Sequence, residues 1–435
     1  METVRSTDLA AWDGQRIQIR GWLHAVRAMG GITFLLVRDG WGIAQAVLGD
    51  SAQRELLTVA HAGVESIIAV EGVVVSAPQA PGGFELHGPT VSVLVPVSEA
   101  PPVTLNKREL RAGLTTLLDQ AVVANRHPAR RALLRLSSGV MAGFRGALTQ
   151  RGFTEMQSPK IVASATESGA NVFQLDYFGT PAFLAQSPQF YKQIMVGVFE
   201  RVFEVGPVFR AEPHDTTRHL NEYVSLDAEM GFIEDHFTVM RVLAETIRGM
   251  FEALATRHAA DLDLLRVTLP DVPAEIPTLH FTEAQDIILR LHGVDHRGEP
   301  DLSPQDERWL GDWARAEHDS DFLFVTGYPM RKRPFYTHPD PARTEYSNSF
   351  DLLFRGTELV TGGQRLHRYD DYVDALRRQG LPLEPFAAYL DAFRYGMPPH
   401  GGFAIGTERF IAQLTGAPNV KLVALFPRDL SRLTP

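Results

Sequence analysis

Three short stretches carry cations at spacings that suit a triphosphate: Phe209-Arg210-Ala211-Glu212, Arg218-His219-Leu220-Asn221-Glu222 and Gly406-Thr407-Glu408-Arg409. Arg210 follows the apolar residues Val202, Phe203, Val205, Val208 and Phe209, so its guanidinium stands at the end of an expected strand, where bidentate phosphate contact is its best use. A lone arginine more often pairs with a neighbouring acid, here Glu204 or Glu212. Two arginines on separate segments, without a Gly-rich P-loop, can instead hold a bent triphosphate while a carboxylate attacks its α-phosphorus. Such carboxylate adenylation needs spread positive charge and no side-chain nucleophile.

The 435 residues, 44% hydrophobic and 22% charged, can bury one large core and up to two or three domains. A formal charge of -10 argues against attraction of the whole surface to nucleic acid or membrane and leaves room for a local basic patch. With no cysteine, disulfides, zinc-thiolate sites and thiol nucleophiles are excluded, and any metal must sit on oxygen or imidazole. The beginning Met1-Glu2-Thr3-Val4-Arg5-Ser6 has no apolar leader, and no run approaches the roughly 20 apolar residues that span a bilayer. A cytoplasmic protein with no membrane partner is expected.

The elements that must position these cations fall into two styles. From Arg16 to Val97, short alternating runs (Ile17 and Ile19; Ile32, Phe34 and Leu36; Ile43 to Leu48; Ile67 to Val75; Val91 to Val97) are broken by Gly30-Gly31, Asp39-Gly40 and Pro81-Gly82-Gly83. Period two with such turns fits a five-stranded Greek-key barrel and a small sandwich equally. Residues 99–130, Pro-rich and then polar, read as a hinge between a domain over 1–98 and another over 131–435. In the latter, Leu133, Leu136, Val140, Phe144 and Leu148 predict a long amphipathic helix that stops at Gly152. Strands at Phe183-Leu184-Ala185, Val202 to Phe209, Val224 to Met230, Ser349 to Phe354 and Phe403 to Ile405 lie scattered among helices, which predicts an α+β fold with an antiparallel sheet. Phe237 to Asp319 reads as mostly helical, without chemistry of its own.

Further stretches give the pattern a family. Gln186-Ser187-Pro188-Gln189-Phe190-Tyr191-Lys192, Glu358-Leu359-Val360-Thr361-Gly362-Gly363-Gln364-Arg365, Tyr395-Gly396-Met397-Pro398-Pro399-His400-Gly401-Gly402 and the ending Phe426-Pro427-Arg428-Asp429-Leu430-Ser431-Arg432-Leu433-Thr434-Pro435, taken with the arginine stretches, resemble class II aminoacyl-tRNA synthetases, aspartyl-tRNA synthetases in particular. With the N-terminal region as an oligonucleotide-binding barrel, the resemblance covers nearly the whole chain. It implies that Arg210 contacts the α-phosphate of ATP and Glu212 the adenine side. Arg218, His219 and Leu220 would lie on the loop facing the β- and γ-phosphates, and Arg409 would stack on adenine and reach the γ-phosphate. Glu358 and Asp351, with the Thr361 hydroxyl where the family commonly has serine, are the implied Mg2+ ligands, an oxygen set of the kind magnesium prefers.

For the amino acid, Gln189 and Lys192 fall on one helical face. The resemblance implies that Lys192 and Arg365 clamp the side-chain carboxylate of L-aspartate while Asp227 holds Lys192. Two cations and one anion predict a positive slot that an asparagine amide leaves underpaired. Similar asparaginyl enzymes lack this lysine and carry an acid in the corresponding helix. Glu167, in Thr166-Glu167-Ser168-Gly169-Ala170, fits the family's mobile loop as partner of the substrate ammonium, with Ser168 departing from a usual glycine. Ala404 replaces another usual glycine. Pro159 matches the motif that builds the dimer interface of this class, which implies a homodimer.

For the acceptor, Gly21-Trp22-Leu23-His24-Ala25-Val26-Arg27 and Gly31 to Asp39 look like the anticodon module of these enzymes. Phe34 can stack a base, Gln45 can bond a base edge and Arg27 can meet a phosphate, although alternation with Ile32 and Leu36 also fits Phe34 as a core residue. The chain resembles the archaeal-type branch through Gly30-Gly31-Ile32. Strict members there tend to carry tryptophan and lysine at the positions of His24 and Pro81, whereas histidine with proline looks like the relaxed type. The resemblance therefore implies charging of tRNA-Asp and also tRNA-Asn, the latter product feeding a tRNA-dependent amidotransferase. A strictly tRNA-Asp-specific enzyme, an asparagine-forming adenylating relative and a catalytically dead tRNA-binding homologue are the rival readings. The barrel argues against the relative, and the presence of Arg210, Glu358, Arg365 and Arg409 against the dead homologue.

Overall fold

A computed structural model describes residues 2–29, 31–49, 62–163 and 171–434. The chain divides into two compact units, Met1–Pro128 and Ala129–Pro435.

In the first unit, β1 (Arg16–Met29), β2 (Ile32–Arg38), β3 (Ile43–Leu48), β4 (Ile67–Ser76) and β5 (Phe84–Val95) form a closed barrel in the order β1-β2-β3-β5-β4. Antiparallel β1–β4 and parallel β3–β5 pairing closes it, so the barrel reading stands and the sandwich falls. Alternation points Ile17, Ile19, Leu35, Val37, Ala44, Ala46, Val70 and Leu86 inward. The segment expected to be a hinge holds α1 (Leu114–Asp119) and α2 (Ala121–Ala124), and buries Val103, Leu105 and Ala124 in an apolar cluster of its own.

The second unit begins with α3 (Pro128–Thr149), whose Leu136, Val140, Phe144 and Leu148 enter the main core, and Gly152 follows in a left-handed conformation, φ 77°. An eight-stranded sheet runs β12-β13-β14-β15-β16-β11-β10-β6. Its strands are β6 (Thr154–Glu155), β10 (Arg201–Phe209), β11 (Glu222–Gly231), β12 (Thr278–His280), β13 (Phe322–Thr326), β14 (Ser349–Phe354), β15 (Thr357–Gln364) and β16 (His400–Gly406). β7 (Ile161–Val162), β8 (Gln174–Tyr177) and β9 (Thr180–Leu184) make a separate small sheet. The interior of the large sheet is antiparallel as expected, but its edge pairs, β12 with β13 and β6 with β10, are parallel, so the sheet is mixed. The remaining helices are α4 (Gln189–Phe199), α5 (His236–Arg257), α6 (Ala259–Leu265), α7 (Phe281–His292), α8 (Pro304–His318), α9 (Tyr369–Arg378), α10 (Ala387–Arg394) and α11 (Thr407–Thr415). Among the described residues no helix is long and apolar enough to cross a membrane.

Candidate functional site

A cleft of about 720 Å³ opens on the second unit. Its lining includes Gln189, Lys192, Arg210, Glu212, Arg218, His219, Leu220, Asp227, Glu358, Thr361, Arg365 and Arg409, so the structure gathers most of the residues expected from three distant parts of the sequence. Glu167 and Ser168 lie outside the described residues.

At one end sits a slot of paired charges. Lys192, on α4 and 1% exposed, donates from Nζ to Asp227 Oδ1 at 3.1 Å and to the Phe403 carbonyl at 3.3 Å, and lies 3.3 Å from Glu229 Oε2. Arg365, just past β15, donates from Nε to Glu229 Oε1 at 3.0 Å and from Nη2 to the Gly402 carbonyl at 3.1 Å. Asp227 and Glu229 alternate onto the same face of β11, so Lys192 meets both carboxylates while Arg365 meets Glu229. Burial alone would raise the Glu229 pKa, but Arg365 and Lys192 hold it below the ordinary carboxylate range. The slot therefore contains two cations and two anions and is formally neutral, which corrects the expected net positive charge. Lys192 thus makes two hydrogen bonds, to Asp227 and to the Phe403 carbonyl, and an ion-pair contact with Glu229.

Behind the slot lies a buried hydrogen-bond network that the sequence motifs did not single out. The Gln193 amide donates to the Tyr372 hydroxyl and to His400 Nε2, both at 2.9 Å, and its carbonyl accepts from the Tyr389 hydroxyl at 2.8 Å and from Gln189 Nε2 at 3.0 Å. His400 Nδ1 donates to the Pro398 carbonyl at 2.9 Å, which fixes the tautomer. Burial drops the pKa of His400 to about 4, so the ring is neutral and Nε2 stays an acceptor. These bonds fasten α4, and hence Lys192, against β16.

At the other end, Arg210 stands just past β10, its guanidinium 5.8 Å above the Tyr223 ring and Nη1 3.8 Å from Glu212 Oε1. Asn221 Nδ2 donates to the carbonyls of Arg210 (2.7 Å) and Glu212 (3.3 Å), tying the base of the loop that carries Arg218 and His219. Burial first, then Arg409 and Arg218, lowers the pKa of His219 against the pull of Glu212. Leu220 is buried in the main core. Arg409, near the start of α11, donates from Nη1 to the Glu358 carbonyl at 3.2 Å and lies 3.6 Å from its carboxylate. The Thr361 hydroxyl donates to Glu358 Oε1 at 3.1 Å.

Asp351 pairs with Thr361 across β14 and β15 but does not line the cleft. Its carboxylate accepts from Arg333 Nη2 at 3.3 Å, and burial raises its pKa to about 6 against the pull of Arg333. Of the three implied ligands, Glu358 and Thr361 line the cleft. Among the described residues no three carboxylates or imidazoles converge as a metal site would require on its own. A carboxylate and a hydroxyl do suit magnesium, which keeps several waters and binds through substrate phosphates.

Glu307 corrects the reading of Phe237 to Asp319 as free of chemistry. It projects from α8 into the cleft, accepting at Oε2 from the Glu358 backbone N–H at 2.8 Å and from Arg218 Nη2 at 3.2 Å. Burial, together with the nearby Glu358 carboxylate, raises its pKa despite these donors. No motif marks it; its only sequence signal is its place in the first turn of a helix capped by Ser303.

In the barrel, the register sets Arg27 opposite Phe34 and Phe34 opposite Val47, with Leu36 opposite Gln45 in the next row. The interior belongs to Leu35 and Val37, and Phe34 is half-buried on the outer face beside exposed Arg27. Phe34 is thus no part of the barrel core. Gln45 donates from Nε2 to Glu85 Oε2 at 2.8 Å. His24 sits at a bulge of β1, 6% exposed, with its pKa lowered to about 4 by burial and then by Arg38. Pro81 opens a half-exposed 3-10 turn, and in the second unit Pro159 is exposed just past β6.

A mixed sheet with arginines at its strand ends and no P-loop, in a chain that also folds an oligonucleotide-binding barrel, defines a class II aminoacyl-tRNA synthetase. The family described as tRNA synthetases class II (D, K and N) matches residues 114–430, and the OB-fold nucleic acid binding domain matches residues 17–94. The chain belongs to that synthetase family. Within it, the chain is 46% identical to the Aspartate–tRNA(Asp/Asn) ligase of Deinococcus radiodurans, over 100% of this chain and 99% of that one. It is equally 46% identical to the Aspartate–tRNA(Asp/Asn) ligase of Thermus thermophilus, over 98% and 99%. Among solved structures, asparaginyl-tRNA synthetase from Pyrococcus horikoshii complexed with asparaginyl-adenylate matches with a TM-score of 0.91 at 31% identity, covering 100% of both chains.

Proposed function

We propose that this chain is an aspartate–tRNA ligase of the relaxed type, which activates L-aspartate with ATP and charges both tRNA-Asp and tRNA-Asn. The observation that carries the amino-acid assignment is the pairing of Lys192 and Arg365 with Asp227 and Glu229 at the base of the cleft. A substrate side-chain carboxylate can accept from both cations, whereas an amide there would present a donor to donors. Arg210, Arg218, His219 and Arg409 hold ATP bent, and the α-carboxylate oxygen of aspartate attacks the α-phosphorus. Pyrophosphate leaves and aspartyl-adenylate forms. The tRNA 3'-terminal hydroxyl then attacks the activated carbonyl, giving aspartyl-tRNA and AMP.

Glu358 and Thr361 would hold Mg2+, which supplies charge neutralisation to the phosphates when bound. Glu167 is the proposed partner of the substrate ammonium, and Pro159 the proposed marker of a homodimer. His24 and Pro81, together with the names of the two relatives, support the relaxed acceptor range, which would supply Asp-tRNA-Asn to a tRNA-dependent amidotransferase. Aspartylation of purified tRNA-Asp and tRNA-Asn transcripts tests this. Comparable rates are expected, and a rate on tRNA-Asn thousands of times lower would leave a strict enzyme. Asparagine-dependent pyrophosphate exchange matching that with aspartate would overturn the amino-acid assignment.

A further inference from the structure

The triphosphate loop, residues 213–219, is fastened by the C-terminal stretch. Lys421 donates from Nζ to Asp215 Oδ1 on the loop and to Asp429 Oδ2 near the chain end, both at 2.6 Å. The Val420 backbone N–H donates to the Thr217 carbonyl at 2.9 Å, and the Asn221 N–H donates to the Arg428 carbonyl at 2.9 Å. Val420 itself lines the cleft together with Thr216, Thr217, Arg218 and His219. Lys421 is 6% exposed, and a lysine so placed needs an anion. Buried Asp429 supplies that need. The second bond goes to Asp215, whose side chain is half exposed and could be hydrated instead, so what this bond fixes is the position of the loop.

We propose that Lys421 is a positioning residue for ATP: it pins Asp215 and so presets the loop that presents Arg218 and His219 to the β- and γ-phosphates. Without the pin, ATP must order the loop at its own expense, and its apparent affinity falls. The aspartate slot, built on α4, β11 and β16, does not depend on this tie. The inference rests on reading the cleft as an ATP site.

Aspartate-dependent exchange of pyrophosphate into ATP tests it in the full chain. Asp215→Asn and Lys421→Met are each expected to raise KM for ATP about five-fold, the scale of one charge-assisted bond, with KM for aspartate unchanged. The double variant should be no worse than Lys421→Met alone, and Lys421→Arg should restore ATP binding. Because Lys421→Met also strands Asp429, Asp215→Asn is the variant whose folding is not at risk. An unchanged KM for ATP in Asp215→Asn, equal rises in both KM values, or additive effects in the double variant would overturn the proposal while leaving the ATP reading intact. Absence of exchange in the unmodified protein would overturn both.

Discussion

Glu229 holds both Arg365 and Lys192 from inside the sheet, and its removal has a definite expected consequence. Glu229→Gln leaves two buried guanidinium and ammonium groups with a single full anion, so the second unit should lose about 3 kcal/mol of stability, measured by chemical denaturation. A change below about 0.5 kcal/mol would mean that the slot is solvated and that its charges are not coupled. The residues of the cleft divide by how they announce themselves. Lys192 and Arg365 stand in motif stretches; Lys192 meets Asp227 directly, and Arg365 joins them through Glu229. Glu229 does not stand out, because its only mark is a two-residue step from Asp227 on a strand whose residues are buried on both faces. Glu307 comes from a helix far in sequence from the motif stretches, and only the folded sheet brings it to Glu358 and Arg218.

The strands make these side-chain meetings possible. β16 lies between β15 and β11, pairing Ala404 with Asp227 and Gly402 with Glu229, so the two acids stand directly beside positions of little or no side chain. A Cβ on Gly402 would collide with the Ala228 carbonyl and the Glu229 carboxylate, whereas the one on Ala404 faces the open cleft. The glycine thus makes the space that the buried acid occupies, and the alanine that departs from the family pattern sits where space exists. Gly402→Ala should destabilise the second unit by on the order of 4 kcal/mol and abolish exchange activity, read by denaturation and pyrophosphate exchange. A variant with normal stability and activity would show that the sheet opens more readily than its packing implies. Two other glycines explain why β15 goes unrecognised in the sequence: Gly362 and Gly363 lower strand propensity, yet they fit against Phe350 and the Ser349 backbone, and tertiary packing overrides the local preference.

For the whole molecule, the cleft and the barrel lie in different compact units, so the proposed chemistry and the proposed acceptor recognition can be tested separately. Alternating runs predicted the barrel strands, but its closure depends on the parallel β3–β5 pair, a long-range contact that periodicity cannot announce. Composition likewise predicted a hinge where the structure has a packed extension of the barrel unit, because scattered leucines among polar residues gave no clear period. The fold also decides the role open to Phe34. Since Leu35 and Val37 fill the interior, removal of the Phe34 ring takes nothing from the barrel core and uncovers only the outer face it shares with Arg27 and Val47. Stacking of one base on an aromatic ring contributes roughly 1–3 kcal/mol, so Phe34→Ala should lower kcat/KM for tRNA by about ten-fold or more. Aspartate-dependent pyrophosphate exchange, which needs no tRNA, should stay at its original rate in the same preparation. Loss of both activities together would mean that Phe34 supports the fold, and retention of full aminoacylation would remove this face of the barrel from tRNA recognition.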